Sequence, residues 1–320
     1  MIKKRNNQPS FAKFQLQGCL KTYDWLKKVN QLVDWSTIER KLAHLHPSNT
    51  GRPAYNPVLM FKILLLQQWF NLSDPQAEAQ VNDRISFKLF LGLDISERSP
   101  DETTICRFRD DLGKLASELL EEVNRQIEEK GFIIKAGTLI DATFQPAATR
   151  PPRKNEEPKD PDASWGAKGK GKNKKTCYGY KLHLGVDQDS GIIRKVEVTT
   201  AKVNDHEVFE ELLSGDEKAI YGDKAYYDQK RAEELEAKGI KNGLMKRAAR
   251  GKPLSEEDKK RNKEISRIRS QVERPFAIIK SKWGHRRARY LGAFKNKVHL
   301  ILIAIAYNLR RACSLATAKA

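Results

Sequence analysis

The hydrophobic periodicity of the chain changes after Gly131, and this change limits the folds that the sequence can adopt. Before it, apolar residues recur at helical spacing, as in residues 56–70. After it, residues 178–186 alternate apolar and polar side chains, which predicts a strand with one buried face. We therefore expect an all-helical N-terminal domain, residues 1–135, and an α/β domain, residues 136–320.

The second domain combines strand and helix patterns in a distinctive order. Strands are predicted over residues 138–144, 178–186, 192–200, 219–222 and 243–247. The second and third form a hairpin, and helical patterns follow the hairpin and each later strand. This is the element order of a ribonuclease-H-like domain, so we expect a mixed sheet flanked by helices. Residues 145–177 are expected to form a mobile basic loop, and residues 250–262 an exposed charged insertion.

The charge of the chain favours a polyanionic partner. Lys and Arg number 60 against 41 Asp and Glu, which gives a formal net charge of +19 and a sequence pI near 9.7. Nucleic acid is therefore the first partner to consider, because phosphate neutralisation releases counterions. An anionic membrane surface, or a basic protein that is merely soluble, is the alternative.

Other sequence features favour a cytoplasmic protein, associated with the nucleoid when it is bound to DNA. No apolar segment of a secretory signal follows Met1. The most apolar stretch, residues 298–309, is shorter than the roughly 20 residues that span a bilayer, so we expect a buried helix and no membrane partner. The cysteines match no zinc-site spacing and are expected to be reduced thiols; they are Cys19, Cys106, Cys177 and Cys313.

Two aspartates lie within or directly after short buried strands. Asp141 ends the apolar run that begins at Thr138, and Asp223 follows Gly222 at the end of the predicted strand 219–222. A carboxylate in a buried strand is costly unless it is paired or binds a metal ion. Open α/β sheets also place their sites at the carboxyl ends of strands. An outward-facing residue at a strand end, or a cap of the following turn, is the alternative role.

A third carboxylate, Glu273, lies in a segment of helical periodicity, residues 264–282. Glu273 flanks the apolar stripe of this helix, with Arg269 one turn before it and Lys280 two turns after it. Pro275 removes a backbone hydrogen bond, which favours a functional reason for the local sequence. The alternative is a surface ion pair of Arg269 and Glu273, which stabilises a helix by only about 0.3 kcal/mol.

Three carboxylates in a strongly basic chain predict a metal site for phosphodiester chemistry. Magnesium prefers oxygen ligands, keeps several waters and needs only a few carboxylates. Two such ions about 4 Å apart can activate a water or a 3′-hydroxyl and stabilise the leaving oxygen. We expect Asp141, Asp223 and Glu273 to be catalytic and to bind two Mg²⁺ ions, with Mn²⁺ able to substitute.

At these residues the chain resembles the DDE transposases of bacterial insertion sequences, specifically the InsH-like branch of the insertion sequence five family. The similarity covers almost the whole length and rests on residues 51–57, 99–109, 140–143, 179–184, 198–205, 222–226 and the segment around Glu273. The third motif of the family is Tyr-x2-Arg-x3-Glu-x6-Lys, which Arg269, Glu273 and Lys280 match. Ser266 occupies the tyrosine position, which is not a metal ligand.

The resemblance implies a metal-dependent enzyme that nicks DNA at the ends of its own element and joins the freed 3′-hydroxyl to target DNA. Asp141, Asp223 and Glu273 would hold the metal ions. Arg269 and Lys280 would contact the phosphate backbone. The implied partners are double-stranded DNA, both terminal inverted repeats and target, and further copies of the chain. Because two DNA ends must be held, we expect a homo-oligomer, a dimer on DNA.

Two further basic segments are expected to contact DNA. Residues 282–290 interleave aromatic and basic side chains, which suits a DNA groove or an unstacked base, and an ordinary connector is the alternative. The helices that end near residue 109 resemble a helix-turn-helix, for which a structural or dimerising role is the alternative. The candidate contacts are Lys282, Arg286, Arg287, Arg289, Arg107 and Arg109.

Two other functions fit the same residues. A ribonuclease-H-like DNA nuclease without strand transfer would use the same three carboxylates, so the sequence does not separate it from a transposase. A DNA-binding protein derived from a transposase would have lost catalysis. The presence of all three acids argues against this last function.

Overall fold

The computed structural model of the protein describes residues 21–45, 54–169, 174–248 and 253–319. The chain forms two compact units. The first contains the described parts of Met1–Lys130 and Asn308–Ala320, and the second contains those of Gly131–Tyr307. Every residue after 135 was expected in the second domain, whereas the described residues of Asn308–Ala320 belong to the first unit.

Helices dominate the described part of the first unit, as the sequence predicts. They are α1 (Lys21–Leu32), α2 (Trp35–Leu42), α3 (Pro57–Phe70), α4 (Asp74–Asp83), α5 (Ile85–Leu91), α6 (Glu102–Asp111) and α7 (Ala116–Glu129). Helix α3 is buried on nearly all sides. Asn56 caps it by accepting hydrogen bonds from the N–H groups of Val58 and Leu59, at 2.8 and 3.1 Å.

The described strands of the second unit form one six-stranded mixed sheet. They are β1 (Thr138–Pro146), β2 (Ser164–Lys168), β3 (Lys175–Asp187), β4 (Ile193–Thr200), β5 (Ala219–Gly222) and β6 (Lys241–Leu244). The order is β2-β3-β1-β5-β6, and β4 also pairs with β3. Strand β3 is antiparallel to β1, β2 and β4, whereas β5 is parallel to β1 and β6. A mixed sheet flanked by helices is thus confirmed.

The segment expected to be a mobile basic loop, residues 145–177, is partly regular structure. Strand β1 continues to Pro146, and β2 lies within the segment and pairs with the start of β3. Asp160 is fully buried and accepts a hydrogen bond from the hydroxyl of Tyr180, at 2.6 Å. The expectation was wrong for these residues because Asp160 and β2 find partners on β3. Residues 170–173 of the lysine run lie outside the described residues.

The insertion expected near residues 250–262 contains the first half of a helix. Helix α9 (Glu256–Arg269) is capped by Ser255, whose hydroxyl accepts from the N–H of Asp258 at 3.1 Å. Its residue Asn262 is buried and exchanges hydrogen bonds with the backbone of Lys246. Glu256, Glu257, Lys259 and Lys260 are exposed, as expected, whereas Asn262 is buried and secures this turn of the helix. Residues 249–252 lie outside the described part.

The helix predicted over residues 264–282 is not continuous. A 3-10 turn, Ser270–Val272, follows α9, and α10 (Glu273–Ala277) leads into a π-helical turn, Ile278–Lys282. Pro275 explains the break, because proline lacks the N–H of a regular helix and its ring clashes with the carbonyl four residues earlier. The apolar stripe predicted for this segment is nevertheless present, since Ile265, Val272 and Ile279 are buried.

The last helix, α11 (Ala293–Lys319), contains the most apolar stretch of the sequence. The expectation that this stretch is too short for a membrane span was wrong, because the helix continues well beyond residues 298–309. By length and composition Ala293–Ala318 is sufficient to cross a membrane, with 67% of its most apolar window buried inside the structure. Buried core helices of soluble proteins have the same length and composition. The expectation of a buried helix is confirmed.

Candidate active site

The sheet brings Asp141 and Asp223 together. Thr138 pairs with Ile220 and Leu139 with Tyr221 in the parallel ladder of β1 and β5. Continuing this register by two residues places the two aspartates opposite one another. Neighbouring strands lie roughly 4.8 Å apart, and directly opposed residues point to the same face. The two carboxylates therefore share one face of the sheet.

Gly222 leaves room for core side chains beside these aspartates. A Cβ atom at this position would lie 2.9 Å from Cγ1 of Ile140 and 2.9 Å from Cδ2 of Leu244. Both distances are shorter than any ordinary carbon–carbon contact, so a side chain here would displace these two side chains. Glycine just before Asp223 thus permits the packing of the core next to the site.

Asp223 also begins the turn that follows β5. Its Oδ1 accepts a hydrogen bond from the N–H of Lys224 at 2.6 Å. The capping role considered from the sequence is therefore present. The carboxylate is only partly exposed and keeps its second oxygen for another partner.

Asp141 is held by an arginine from the broken helix. Nη1 of Arg269 donates to Oδ2 of Asp141 at 2.9 Å, and the two side chains are 17% and 14% exposed. Nε of Arg269 is buried and has no hydrogen-bond partner among the described residues. The pair spans 128 positions of the sequence, so it attaches the end of α9 to the centre of the sheet.

The environment of Asp141 favours its neutral form. Burial raises the pKa of this carboxyl above its usual value near 3.8, and the nearby charge of Asp223 raises it further. Arg269 and, to a lesser extent, Lys168 lower this pKa. A carboxyl group whose pKa is raised by burial and by a neighbouring carboxylate lies in a site in which a cation is favoured.

Glu273 is less closely associated with the two aspartates. It is the first residue of α10, directly after the 3-10 turn, and its side chain is exposed. No group of three or more His, Cys, Asp or Glu in the described ranges is arranged to hold a metal ion. The structure thus brings Asp141 and Asp223 together with Arg269 and leaves Glu273 exposed to solvent.

A cleft of about 470 Å³ lies beside these residues. It is lined by Ala142, Thr143, Phe144, Ala167, Lys168, Gly169, Lys181, Asn204, Asp205, His206, Ala225 and Arg247. The cationic side chains of Lys168, Lys181 and Arg247 outnumber the carboxylate of Asp205 on its walls. A cleft with this charge balance attracts phosphate.

Two family models match the chain. The model described as "Transposase DDE domain" matches residues 134–309, more than half of the chain, and its range includes Asp141, Asp223 and Glu273. The chain belongs to the DDE transposases of insertion sequences. A second model, described as "Transposase domain (DUF772)", matches residues 15–111. No solved structure matches the transposase. The family makes it a nucleic-acid-processing enzyme that binds DNA.

Lys280 of the transposase lies beneath β1. Its ammonium group donates to Oγ1 of Thr143 at 2.7 Å and to the carbonyl oxygen of Phe144. Burial lowers its pKa to about 8. Its hydrogen bonds go to β1, whereas Arg269 contacts Asp141, so these two bases of the predicted motif contact different residues of the same strand.

The predicted DNA contacts of the transposase differ in accessibility. Arg107, Lys282, Arg286 and Arg287 are exposed. Arg289 is half-buried. Arg109 is buried and makes a bidentate ion pair with Asp74, at 2.6 and 2.9 Å. The guanidinium of Arg109 therefore joins α6 to α4 and is not presented to DNA in this conformation.

The tryptophan of the predicted basic segment, residues 282–290, is buried, whereas Tyr290 is half-buried. Trp283 is 7% exposed and packs edge-to-face on Tyr307, with ring centroids 6.3 Å apart. It cannot stack on an unpaired base in this position. In the same segment Nε of Arg287 donates to the carbonyl oxygen of Ala147 at 2.6 Å, so the connector is attached to the end of β1.

Two residues near the carboxylates were not singled out from the sequence. Asp205 is 11% exposed and pairs with Lys181 at 2.8 Å. Tyr226 is fully buried beside the acidic residues. The sequence signal for Asp205 was its place in a polar turn after β4, where capping was the simpler interpretation. Tyr226 carried no separate signal, because a buried aromatic side chain normally indicates packing.

Proposed function

We propose that the transposase cuts DNA at the ends of its insertion sequence and joins the freed 3′-hydroxyl to target DNA. The observation that supports this best is the pair Asp141 and Asp223, in register on adjacent parallel strands beside a cationic cleft. Cleavage and joining are the same displacement at phosphorus with different nucleophiles, so one carboxylate site serves both steps.

The residues present fit a divalent cation. Asp141 and Asp223 supply hard oxygen ligands on one face of the sheet, and magnesium needs only one or two carboxylates when substrate phosphate completes its shell. Such a cation, Mg²⁺ or Mn²⁺, would supply charge stabilisation and nucleophile activation. We assign Glu273 as the third carboxylate of this site, recruited when DNA is bound.

Arg269 has two partners in this proposal. Without DNA, its guanidinium neutralises Asp141. DNA phosphate offers an alternative anion for this guanidinium, whose side chain is 17% exposed. Lys280 supports the backbone of β1 and stays close to the same phosphate path. The exposed bases Lys282, Arg286 and Arg287 also bind DNA, and so does Arg107 of the first unit.

The remaining assignments follow from the family. We propose that the catalytic unit is ribonuclease-H-like, since strands β1 to β4 are joined by antiparallel pairing and are followed by β5 and β6, which extend the sheet in parallel from β1. We also propose membership of the InsH-like branch, a dimer on DNA that holds two terminal repeats, and a cytoplasmic location. The N-terminal region, residues 1–135, binds the DNA ends or dimerises.

The test is a reaction with a duplex that carries the inverted repeat, Mg²⁺ or Mn²⁺, and a supercoiled target. Wild type is expected to give nicked and joined products. Asp141→Asn, Asp223→Asn and Glu273→Gln are expected to bind the duplex with unchanged affinity and to give neither product. Cleavage by Asp141→Asn would show that the site is placed wrongly.

The same reaction distinguishes the alternative functions. A pre-nicked repeat end supplies the 3′-hydroxyl directly, so joining can be scored without cleavage. Cleavage without joining would identify a nuclease. Binding without either product, in wild type and variants alike, would identify a DNA-binding protein derived from a transposase.

A further inference from the structure

The cationic cleft occupies a gap in the sheet next to the two aspartates. Strand β5 ends just before Asp223, whereas β1 continues past Asp141 to Pro146, where none of the described strands pairs with it on the side of β5. The cleft is lined there by residues 142–144 of β1 and by Ala225 of the turn after β5. It therefore begins one residue after Asp141 and two residues after Asp223. A DNA strand that is held at the carboxylates continues into this gap.

Lys181 of β3 is fixed in the wall of the cleft. Its ammonium group donates to Oδ1 of Asp205 at 2.8 Å and to the carbonyl oxygen of Val203 at 2.6 Å. The same group lies 5.6 Å from the ring centroid of Phe144, which is opposite Lys181 in the register of β1 and β3. The lysine side chain is only 14% exposed. These contacts hold the ammonium group at one place on the wall.

The ammonium group of Lys181 keeps one donor for a ligand. It has three protons to donate, and the described residues accept two of them. Stability gives little reason for the lysine, because a largely buried ion pair is seldom more stabilising than apolar side chains of the same size. The exposed side chains of Lys168 and Arg247 bring further positive charge to the same cleft. A DNA phosphate, which is an anion with several acceptor oxygens, suits this arrangement.

We infer that the cleft is the subsite for the nucleotide next to the scissile phosphate, and that Lys181 binds the phosphate of this nucleotide. This inference rests on the proposed function. Asp205 and the carbonyl of Val203 hold the ammonium group before DNA arrives, so the donor is already in place. A phosphate fixed beside the cut limits the positions that the scissile phosphate can take at the carboxylates.

The test combines Lys181→Met with repeat duplexes that carry one neutral methylphosphonate. The neutral group replaces in turn each phosphate near the cut, and affinity is measured without divalent cations so that no DNA is cleaved. Wild type should lose about 10-fold in affinity at one position next to the cut, because a charge-assisted hydrogen bond is removed. Lys181→Met should bind the unmodified duplex about 10-fold more weakly and lose nothing further at that position.

Lys297→Met is the matched control. Lys297 pairs with Glu197 at 2.6 Å and does not line the cleft, so this variant should keep the wild-type loss at the same position. Because Lys181→Met leaves Asp205 without its cation, the double variant Lys181→Met with Asp205→Asn is measured as well, and urea denaturation establishes that each variant is folded. The double variant should show the pattern of Lys181→Met.

The outcomes separate this inference from the proposed function. If wild type cuts and joins DNA, losses of Lys181→Met and methylphosphonate that add at every position overturn this inference alone. The same holds if Lys297→Met loses the position-specific effect as Lys181→Met does. A wild type that neither cuts nor joins overturns the proposed function, and this inference with it.

Discussion

At the scale of single residues, the site is defined by charged side chains that are largely buried. Asp141 is largely buried, shares its face with Asp223 and is neutralised by Arg269. Burial opposes the ionised carboxyl, and the arginine favours it. The ionisation of Asp141, and with it the proposed activity, depends on this balance.

Arg269→Gln should alter the pH dependence of cleavage. Because Arg269 lowers the pKa of Asp141, its loss raises that pKa further above 3.8. The ionised form is present above the pKa and is lost as pH falls through it, so the acidic limb of the rate profile should move to higher pH. Single-turnover rates from pH 5 to 8 measure this. If the acidic limb of the profile did not move and the rate fell by the same factor at every pH, Arg269 would act only in phosphate binding.

Lys280→Met should alter the pH dependence of stability. Folded Lys280 loses its proton near pH 8, whereas the unfolded lysine keeps it to about 10.5. Between these values the unfolded state binds more protons, so the lysine makes the free energy of unfolding rise with pH. The rise should be on the order of 1 kcal/mol, reduced because the side chain is only half-buried. Urea titrations of wild type and variant at pH 8 and 10 would show whether the difference exists.

At the scale of elements, the sequence pattern predicted most strands and helices but few of their tertiary contacts. The alternation over residues 178–186 predicted β3, and the runs before Asp141 and Asp223 predicted β1 and β5. The pairing of β1 with β5 joins segments about 80 residues apart, and local periodicity carries no information on such distances. Strand β2 was missed because its Ser-Trp-Gly-Ala-Lys sequence lacks a regular alternation.

The same limits apply to the candidate site. Asp223 could be placed at the end of β5 because a strand has a simple period, whereas Asp141 was also expected at a strand end and lies inside β1. Glu273 was placed on the edge of the apolar face of a helix kinked by Pro275, and the structure shows its side chain exposed, between a 3-10 turn and a π-helical turn. Trp283 was interpreted as a stacking residue, since sequence alone does not show that Tyr307 covers it. Burial and partner choice depend on elements that are far away in the chain.

The ion pair between α4 and α6 gives a prediction for two arginines of one helix. Arg109→Met should lower the free energy of unfolding by about 2 kcal/mol, because it leaves the partly buried carboxylate of Asp74 without its cation. Arg107→Met should change stability by less than about 0.5 kcal/mol, because Arg107 is exposed. Urea denaturation of both variants measures the difference.

The affinity for DNA should be reduced more by Arg107→Met than by Arg109→Met, which is the reverse of the order expected for stability. If Arg107 contacts phosphate, its loss weakens binding and lowers the dependence on salt by about one phosphate contact. Folded Arg109→Met should bind the repeat duplex like wild type, because the guanidinium is not presented to DNA. Weaker binding by Arg109→Met at a temperature where it is fully folded would contradict the structural role of this residue.

At the scale of the whole molecule, a net charge of +19 determines how the protein meets DNA. The cationic cleft and the exposed bases offer many phosphate contacts, which add affinity without sequence information. Recognition of the terminal repeats must therefore add to a strong binding of DNA that does not depend on its sequence.

Affinity for DNA should depend steeply on salt. If six or more phosphates are neutralised, the association constant should fall at least about 1000-fold between 50 and 200 mM salt. Fluorescence anisotropy with a repeat duplex and a scrambled duplex measures both slopes. We expect similar slopes and a constant ratio of affinities; a shallow slope for both would mean that most of the positive charge lies away from the DNA.

The long separation between Asp141 and Arg269 has a consequence for the protein while it is being synthesised. At about 5 to 20 residues per second, a ribosome needs roughly 6 to 26 s to reach the arginine after it has added the aspartate. During this time the nascent chain carries Asp141 without Arg269, and for much of it without Asp223. On the proposed function, translation must therefore pass the end of α9 before the new protein can cut the gene that encodes it.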